Sequence, residues 1–351
     1  MLKLKIERAP LNDDENRAIL ENYNRLTGGR IPLDEFVHWV SRNPVGPAWH
    51  GILETQDGRI VGHTSAFPLR TPHSDGKLAP AKSEYSFMHE DFRKEKILGL
   101  EDAGRPPFVV LLDKLVRHCQ EQGWGPFFVS TNDKNQLIGR RVGLRQVEFP
   151  LTECLLMLRP ANAARHTPNL SSRQRVGLLT TGLLQSAAWT CAAPFLGRQN
   201  GVCEVPVEKN GFPFETARLS FFQDPESLQW RYFAGQYFRL DIEQSPGDYV
   251  IVKRGSSERF SRVCQWRLAG SADLHRVIRS LVSRARSGGA MGMRWAVYDA
   301  DPCSAELVRQ LRRAGFLCAR RVRVLLVHKR DEKYLAPEMW QMNDSLYSFD
   351  P

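Results

Sequence analysis

The phrase "RRVGL" at residues 140–144 has a near copy, "RRAGF", at residues 312–316. A helix is predicted before each copy, at 106–123 and at 271–289, because apolar residues recur there at helical spacing and glycine follows the last of them. A short apolar strand, a polar turn and a second short helix come next in both places. The repeated phrase therefore marks a structural unit that occurs twice.

Each copy of the phrase also predicts how its unit ends. Gly143 and Gly315 stop the second short helix, since glycine adopts the left-handed backbone conformation by which a chain leaves a helix. A final strand follows each glycine, and two antiparallel strands precede each unit, with turns at Asp57-Gly58 and near Gly255. The sequence thus predicts a duplicated α/β fold, with a mixed sheet of the α+β kind in each copy.

The boundaries of the two copies follow from these elements. We expect the first domain at 1–158 and the second at 210–334. A linker at 159–209, with an uncharged helical segment, would join them, and a tail would follow at 335–351. A chain of 351 residues is long enough for two domains that each bury a core.

Composition limits the class of protein. Apolar residues make up 42% and charged residues 25% of the chain, as in soluble globular proteins. The net charge of +10 favours anionic partners, namely nucleic acid, acidic lipid or a phosphorylated cofactor. The seven cysteines form no CxxC pair and no zinc-like spacing, which predicts reduced thiols, no metal and a cytoplasmic protein. The first residues lack the apolar core of a signal peptide, so export is not expected.

One segment, Val176 to Gly197, runs for 22 residues without a charge and is flanked by Arg173, Arg175 and Arg198. Its length suits a membrane span, although glycines, a proline and several polar residues interrupt it. Three interpretations stay open: a span, a helix lying on the inner surface of the membrane, or a helix packed between the domains.

The order of predicted elements resembles the GNAT superfamily of acyl-CoA-dependent acyltransferases. The duplication resembles the tandem-GNAT proteins, which include Fem-type aminoacyl transferases and acyltransferases of polysaccharide synthesis. The resemblance implies two GNAT-like domains joined by a helical linker. It also implies acetyl-CoA or another acyl-CoA as co-substrate and an amine as acceptor.

The stretch "SEYSFMHEDFRKEKILGLEDAGRPP" at 83–107 resembles the GNAT strand and loop that hold coenzyme A, but its loop is longer and lacks the regular glycine pattern. A basic loop that leads into a helix N-terminus at Pro106 suits a pyrophosphate. The resemblance implies these cofactor-binding residues: Met88, Arg93, Lys94, Lys96, Gly99, Gly104, Arg105 and Asn132. The matching place in the second copy keeps only Arg267, Gly270 and Ser271, so we predict one cofactor site, in the first copy.

Amine acylation needs a base that removes the proton of the amine. Glu84 matches the place where some family members carry this base, and His89 is a second candidate. His50 and His63, in the preceding strands, are further candidates. Each of these residues also has an interpretation without a catalytic role. Glu84 could be an exposed glutamate on a strand, and each histidine could be a structural residue.

The general acid is less well defined. Many family members carry a tyrosine four residues before the Gly-Phe pair, where this chain has Gly139 and Leu311. Tyr85 could protonate the leaving thiolate instead, or the thiolate leaves unaided.

The stretch "LSFFQDPESLQWRYFAGQYF" at 219–238 is rich in aromatic residues. Aromatic rings and arginine can stack on sugars and hold phosphate. We predict Trp230, Arg231 and Tyr232 as substrate-binding residues, with burial in the core as the alternative. The tail at 336–351 either closes over an acceptor or packs on the domain.

These features predict an acyl-CoA-dependent N-acyltransferase that acts on an amine of a small molecule, sugar or glycan intermediate. Two other functions stay open. One is Fem-like transfer from aminoacyl-tRNA, for which the positive charge gives some support; nucleic acid is otherwise not an expected partner. The other is a non-catalytic tandem-GNAT protein that binds a glycan, a lipid or a partner.

Overall fold

The computed structural model describes residues 1–71, 79–98, 104–131, 133–167, 171–192, 202–207, 219–232, 235–243, 245–268, 274–301 and 303–343. These residues form one mixed sheet of twelve strands with helices on both faces. The predicted mixed α/β class is confirmed.

The elements alternate along the chain much as the repeat predicts. The strands are β1 (Lys3–Arg8), β2 (Trp49–Glu54), β3 (Ile60–Pro68), β4 (Ala79–Met88), β5 (Trp124–Thr131), β6 (Leu144–Met157), β7 (Val202–Val205), β8 (Tyr237–Ile242), β9 (Tyr249–Lys253), β10 (Phe260–Arg267), β11 (Gly292–Tyr298) and β12 (Leu317–His328). The helices are α1 (Asp13–Thr27), α2 (Leu33–Ser41), α3 (Pro107–Glu121), α4 (Asp133–Arg141), α5 (Pro160–His166), α6 (Ser172–Ala192), α7 (Pro225–Arg231), α8 (Leu274–Ser287) and α9 (Ser304–Arg313).

The two halves of the sheet exchange their last strands. The strand order is β1-β2-β3-β4-β5-β12-β6-β11-β10-β9-β8-β7. Strand β12, from the second copy, therefore pairs with β5 of the first copy, while β6, from the first copy, pairs with β11 of the second. The two exchanged strands also pair with each other, Leu144–Leu155 against Leu317–His328. The result is one continuous sheet, and the predicted domain boundaries at 158 and 210 stay a prediction.

The two faces of this sheet bury different cores. One face packs against α3 in the first half and against α8 and α9 in the second. The opposite face, which we call the common face, carries one core that runs across both halves under α1, α2 and α7. Trp340, in the carboxyl-terminal segment, is buried on the common face and packs edge-on against Phe128 of β5, with ring centroids 5.1 Å apart.

The repeated phrase stands directly before each exchanged strand. Gly143 and Gly315 have positive φ angles of 80° and 87°, and they lead from α4 into β6 and from α9 into β12. The exchanged strands bring Cys154 of β6 directly opposite Cys318 of β12, with their sulfur atoms 2.6 Å apart. This contact and burial raise the pKa of Cys154, whereas the contact and the charge of Arg312 lower the pKa of Cys318.

The uncharged segment forms most of helix α6, and its residues 193–197 lie outside the described residues. Gly182, Gln185 and Trp189 form its buried side, and the side-chain amide of Gln185 donates to the carbonyls of Leu155 and Gly315. On the exposed side, Val176, Leu183 and Leu184 are each more than 60% exposed. Among the described helices, none is both long and apolar enough to cross a membrane.

Candidate active site

The parallel strands β4 and β5 separate part of the way along their length. They pair from Ala79 and Trp124 up to Ser83 and Val129. Beyond this point β4 continues to Met88 as the partner of β3, while β5 pairs with β12 on its other side from Phe128 to Thr131. Among the described residues, the backbone of β4 after Ser83 has no ladder partner on its β5 side, which leaves an opening between the two strands.

A β-bulge lies at the start of this opening. Tyr85 and Ser86 stand opposite the single residue Thr64 of β3, and Tyr85 has a positive φ of 53°. A bulky residue in this conformation is strained, so the surroundings must hold it there. The Tyr85 ring is 2% exposed and meets the rings of Tyr23 and Phe36 edge-on at 5.3 and 5.0 Å. Tyr85 was predicted as a general acid, and the structure places its side chain in the aromatic core of the common face.

Two buried histidines fix the backbone of the bulge. Nδ1 of His63 lies 2.8 Å from the carbonyl oxygen of Tyr85, and Nε2 of His63 lies 2.9 Å from Nδ1 of His50. A carbonyl oxygen can only accept, so His63 donates from Nδ1. Burial keeps both imidazoles neutral near pH 7, and Nε2 of His63 then accepts a hydrogen bond from Nδ1–H of His50. Burial lowers the pKa of His63 to about 4 and the pKa of His50 well below its ordinary value.

An ion pair lies beside the opening. Lys82 is fully buried between its strand neighbours Phe67 and Phe128, and its ammonium contacts the carboxylate of Glu84. The Glu84 side chain is 13% exposed, so solvent or a substrate reaches it. The predicted base thus lies at the opening, but as the partner of a buried cation that the sequence reasoning missed. The sequence does contain a signal for this pair: Lys82 and Glu84 are two residues apart, and residues two apart on a strand share a face.

His89 lies away from this pair, at the end of β4. Its Nε2 is 3.0 Å from the side-chain oxygen of Asn22 and 3.1 Å from the guanidinium of Arg25 in α1. Burial and the charges of Arg25 and Arg59 lower the pKa of His89. These contacts match the structural alternative for His89 better than a role as base.

The first part of the predicted cofactor loop, up to Leu98, runs beside the start of β1. The amide of Leu2 donates to the carbonyl of Lys96, and the amide of Leu98 donates to the carbonyl of Leu2. Arg93, Lys94 and Lys96 are exposed, and Arg93 pairs with Glu90 at 3.0 Å. The loop therefore presents several positive charges to solvent near the start of β1.

The start of α3 is less open than a glycine-rich phosphate loop. Pro106 and Pro107 have no N–H group, and the amides of Val109 and Val110 donate to the carbonyl of Pro106. Arg105 pairs with Asp113 at 3.3 Å, next to the Arg117–Asp113 pair at 3.0 Å. Side-chain charge is therefore the main attraction for an anion here.

The remaining predicted cofactor residues have mixed positions. Met88 is half-buried and packs in an apolar cluster that includes Leu111 of α3. Gly104 is exposed, with a φ of 103°. Gly99 and Asn132 lie outside the described residues.

The second half repeats the opening with different side chains. Strands β10 and β11 pair only up to Val263 and Trp295, and β10 has an irregularity at Cys264. Counted from the last pair, Arg262 and Cys264 take the places of Lys82 and Glu84. The second copy thus lacks the carboxylate, and its Gly270 and Ser271 lie outside the described residues.

The residues predicted for substrate binding are buried in and just after α7. Arg231 is fully buried, whereas Trp230 and Tyr232 line a cavity of about 1090 Å³. Described residues of α2, β7 and β8 complete its wall, among them His38, Val205 and Tyr237. Two hydrogen bonds join α2 to α7 beside it: Trp230 donates from Nε1 to the carbonyl of Trp39 at 3.3 Å, and His38 Nε2 lies 3.0 Å from the carbonyl of Trp230.

Comparison with known proteins supports the fold and no more. No protein-family model matches the sequence, and no curated protein matches it either. The N-myristoyltransferase of Saccharomyces cerevisiae with bound myristoyl-CoA is similar with a TM-score of 0.57 at 10% identity, over 93% of this chain and 82% of that chain. A tandem GNAT protein from the clavulanic acid biosynthesis pathway gives 0.55 at 13% identity, over 92% of this chain and 98% of that chain.

A third similar structure contains a GCN5-related glucosamine N-acetyltransferase region in a fungal multi-domain β-N-acetylglucosaminidase. Its TM-score is 0.51 at 11% identity, over 92% of this chain and 38% of that chain. With the exchanged sheet and its two openings, these matches show that the chain has the tandem GNAT fold. The predicted resemblance is confirmed at the level of the fold.

The neutral histidine pair predicts how stability depends on pH. The folded-state pKa of His63 lies below its unfolded value of about 6.5. Its contribution to the free energy of unfolding is therefore fully present above pH 6.5 and is lost as the pH falls toward 4. We expect protonation of His63 alone to lower the free energy of unfolding by on the order of 3 kcal/mol over this range. Urea denaturation at pH 7.5 and 4.5 measures it, with His63→Gln as the comparison. The variant should lose less stability on acidification than the wild type, and an equal loss would show that His63 does not stay neutral in the folded protein.

Proposed function

We propose that the protein is an acyl-CoA-dependent N-acyltransferase that uses the opening between β4 and β5 for the thioester. The observation that carries this proposal is the separation of two parallel strands beyond Ser83 and Val129, with a bulge at Tyr85. The open side of β4 offers backbone hydrogen-bonding groups to the polar parts of an acyl-CoA, such as its thioester carbonyl. The exposed cations Arg93, Lys94 and Lys96 and the partly exposed Arg105 lie between β4 and α3, where they would attract the phosphates of coenzyme A.

Glu84 is the base in this proposal. It is the carboxylate beside the opening, and its partial exposure lets an amine or a bridging water reach it. Lys82 orients the carboxylate and fixes it in one position. The thiolate leaves without a side-chain acid, because the ring of Tyr85 is packed in the core.

The acceptor is an amine, and we propose an amino group on a sugar or glycan intermediate. The cavity lined by Trp230, Tyr232 and Tyr237 offers aromatic surface of the kind that packs on sugar rings. The glucosamine acetyltransferase region with a similar fold agrees with this class of acceptor. We place the protein in the cytoplasm, where the exposed Leu183 and Leu184 of α6 and the nearby Arg173 could contact the inner face of a membrane.

A non-catalytic binding protein is the second candidate. The proline-capped start of α3 favours it, because this helix start has few free amides for a pyrophosphate. Fem-like use of aminoacyl-tRNA has only the net charge of +10 in its favour.

Calorimetry with acetyl-CoA tests the cofactor site. We expect saturable binding of one molecule of acetyl-CoA per chain. Arg105→Ala should weaken this binding about tenfold, because the coenzyme phosphate would lose a charge-assisted contact with the guanidinium. Arg117→Ala is the matched control, since Arg117 pairs with the same Asp113 from the outer side of α3 and should change the affinity less than about twofold. No binding to the wild type at millimolar ligand would favour the non-catalytic alternative.

Release of free thiol from acetyl-CoA, with glucosamine as the trial acceptor, tests Glu84. We expect Glu84→Gln to keep its affinity for acetyl-CoA and to lower kcat by about a hundredfold or more, the contribution of a general base. The pH profile of the wild type should show an acidic limb that the variant lacks. Full turnover by the variant would remove Glu84 from the mechanism.

A further inference from the structure

Two cysteines face each other across the exchanged strands. Cys154 of β6 and Cys318 of β12 are direct partners in the antiparallel ladder, although they are 164 residues apart in sequence. Their sulfur atoms are in contact, and both thiols are free. Directly opposed residues of antiparallel strands have Cα atoms about 4.5–5.5 Å apart, which a disulfide can span. The two side chains can therefore be joined without a rearrangement of the backbone.

The two cysteines differ in how well they are reached from solvent. Cys154 is fully buried, and its other ladder neighbour is the buried Trp295 of β11. Cys318 is half-buried. Strand β12 pairs with β5 only from Val324 onward, so among the described residues Cys318 has no ladder partner on its β5 side. A small reagent therefore reaches the pair through Cys318.

The surroundings also make Cys318 the more reactive thiol of the two. The contact with Cys154 and the positive charge of Arg312, in the last turn of α9, lower the pKa of Cys318. The same contact and burial raise the pKa of Cys154. Since the thiolate is the form that attacks a disulfide, Cys318 reacts first and Cys154 second.

We propose that Cys154 and Cys318 form a reversible disulfide that joins the two exchanged strands covalently. The oxidant is a small disulfide, for which glutathione disulfide serves as the probe. The Cys318 thiolate attacks one sulfur of the probe, and one glutathione leaves with the proton that Cys318 lost. The sulfur of Cys154 then gives up its proton and attacks the sulfur of Cys318, and the second glutathione leaves as a thiol. Two protein thiols are thereby oxidised, and one disulfide is reduced to two thiols.

This modification site is independent of the acyl transfer proposed above. One cysteine belongs to the first copy of the fold and the other to the second, so the bond connects the two halves at the exchange itself. A crosslink between residues far apart in sequence restricts the unfolded chain strongly and stabilises the folded one. In the cytoplasm such bonds are mostly transient, and a bond that small thiols can reverse suits that compartment.

Mass spectrometry of the full-length protein after treatment with glutathione disulfide tests the bond. We expect a peptide that joins residues 154 and 318, which dithiothreitol separates again. Cys154→Ser should instead retain glutathione on Cys318, because the second thiol is absent. Cys203→Ser, which removes a partly exposed cysteine of β7, is the matched control and should form the link as the wild type does. Absence of the joined peptide, or glutathione retained on Cys318 of the wild type, would overturn the proposal.

Urea denaturation of the oxidised and the reduced protein, after removal of the reagents, gives a second readout. We expect oxidation to raise the midpoint of unfolding by on the order of 1 M, because the bond closes a long loop. Cys318→Ser should unfold at the same midpoint with and without prior oxidation. An oxidised wild type that unfolds at or below the midpoint of the reduced protein would contradict a bond between strands that are neighbours in the fold.

Discussion

The exchange of β6 and β12 is the constraint on which the rest of the structure depends. Strand β12 pairs with β5 on one side and with β6 on the other, so neither half can complete its sheet with its own last strand. Each opening lies beside a strand that pairs with an exchanged strand. Among the described residues, β4 has no parallel neighbour after Ser83 and β10 has none after Val263.

The common face places buried polar groups on both sides of the exchanged strands. On the first side, Lys82 and Glu84 flank an opening whose bulge is held by neutral histidines. On the second side, Lys253 and Arg231 are buried, and Trp230, Tyr232 and Tyr237 line a cavity. The first copy of the fold thus has a carboxylate beside its opening, at a place where the second copy has Cys264. This difference fits the proposed division of labour, in which the first copy handles the thioester and the second holds the acceptor.

Local patterns predicted the elements, because helix periodicity and the glycines at 143 and 315 depend only on nearby residues. The exchange could not be predicted in this way, since β12 carries the same alternation whether it pairs with β5 or with β11. The candidate site was partly predictable: Glu84 lies at the opening, but its buried partner Lys82 was not among the predicted residues. The electrostatic interaction between Glu35 and Lys253, 218 residues apart, depends on the packing of α2 over the second half, which single-sequence patterns do not contain.

Disulfide crosslinking across β5 and β12 tests the exchange most directly. Residues 131 and 324 are directly opposed, and such pairs have Cα atoms about 4.5–5.5 Å apart, within the span of a disulfide. A Thr131→Cys, Val324→Cys variant treated with diamide should yield a peptide that joins these two positions, together with the native Cys154–Cys318 pair. The native pair reports only that β6 and β12 are neighbours. A Cys154–Cys318 disulfide without the 131–324 link would contradict the exchanged sheet.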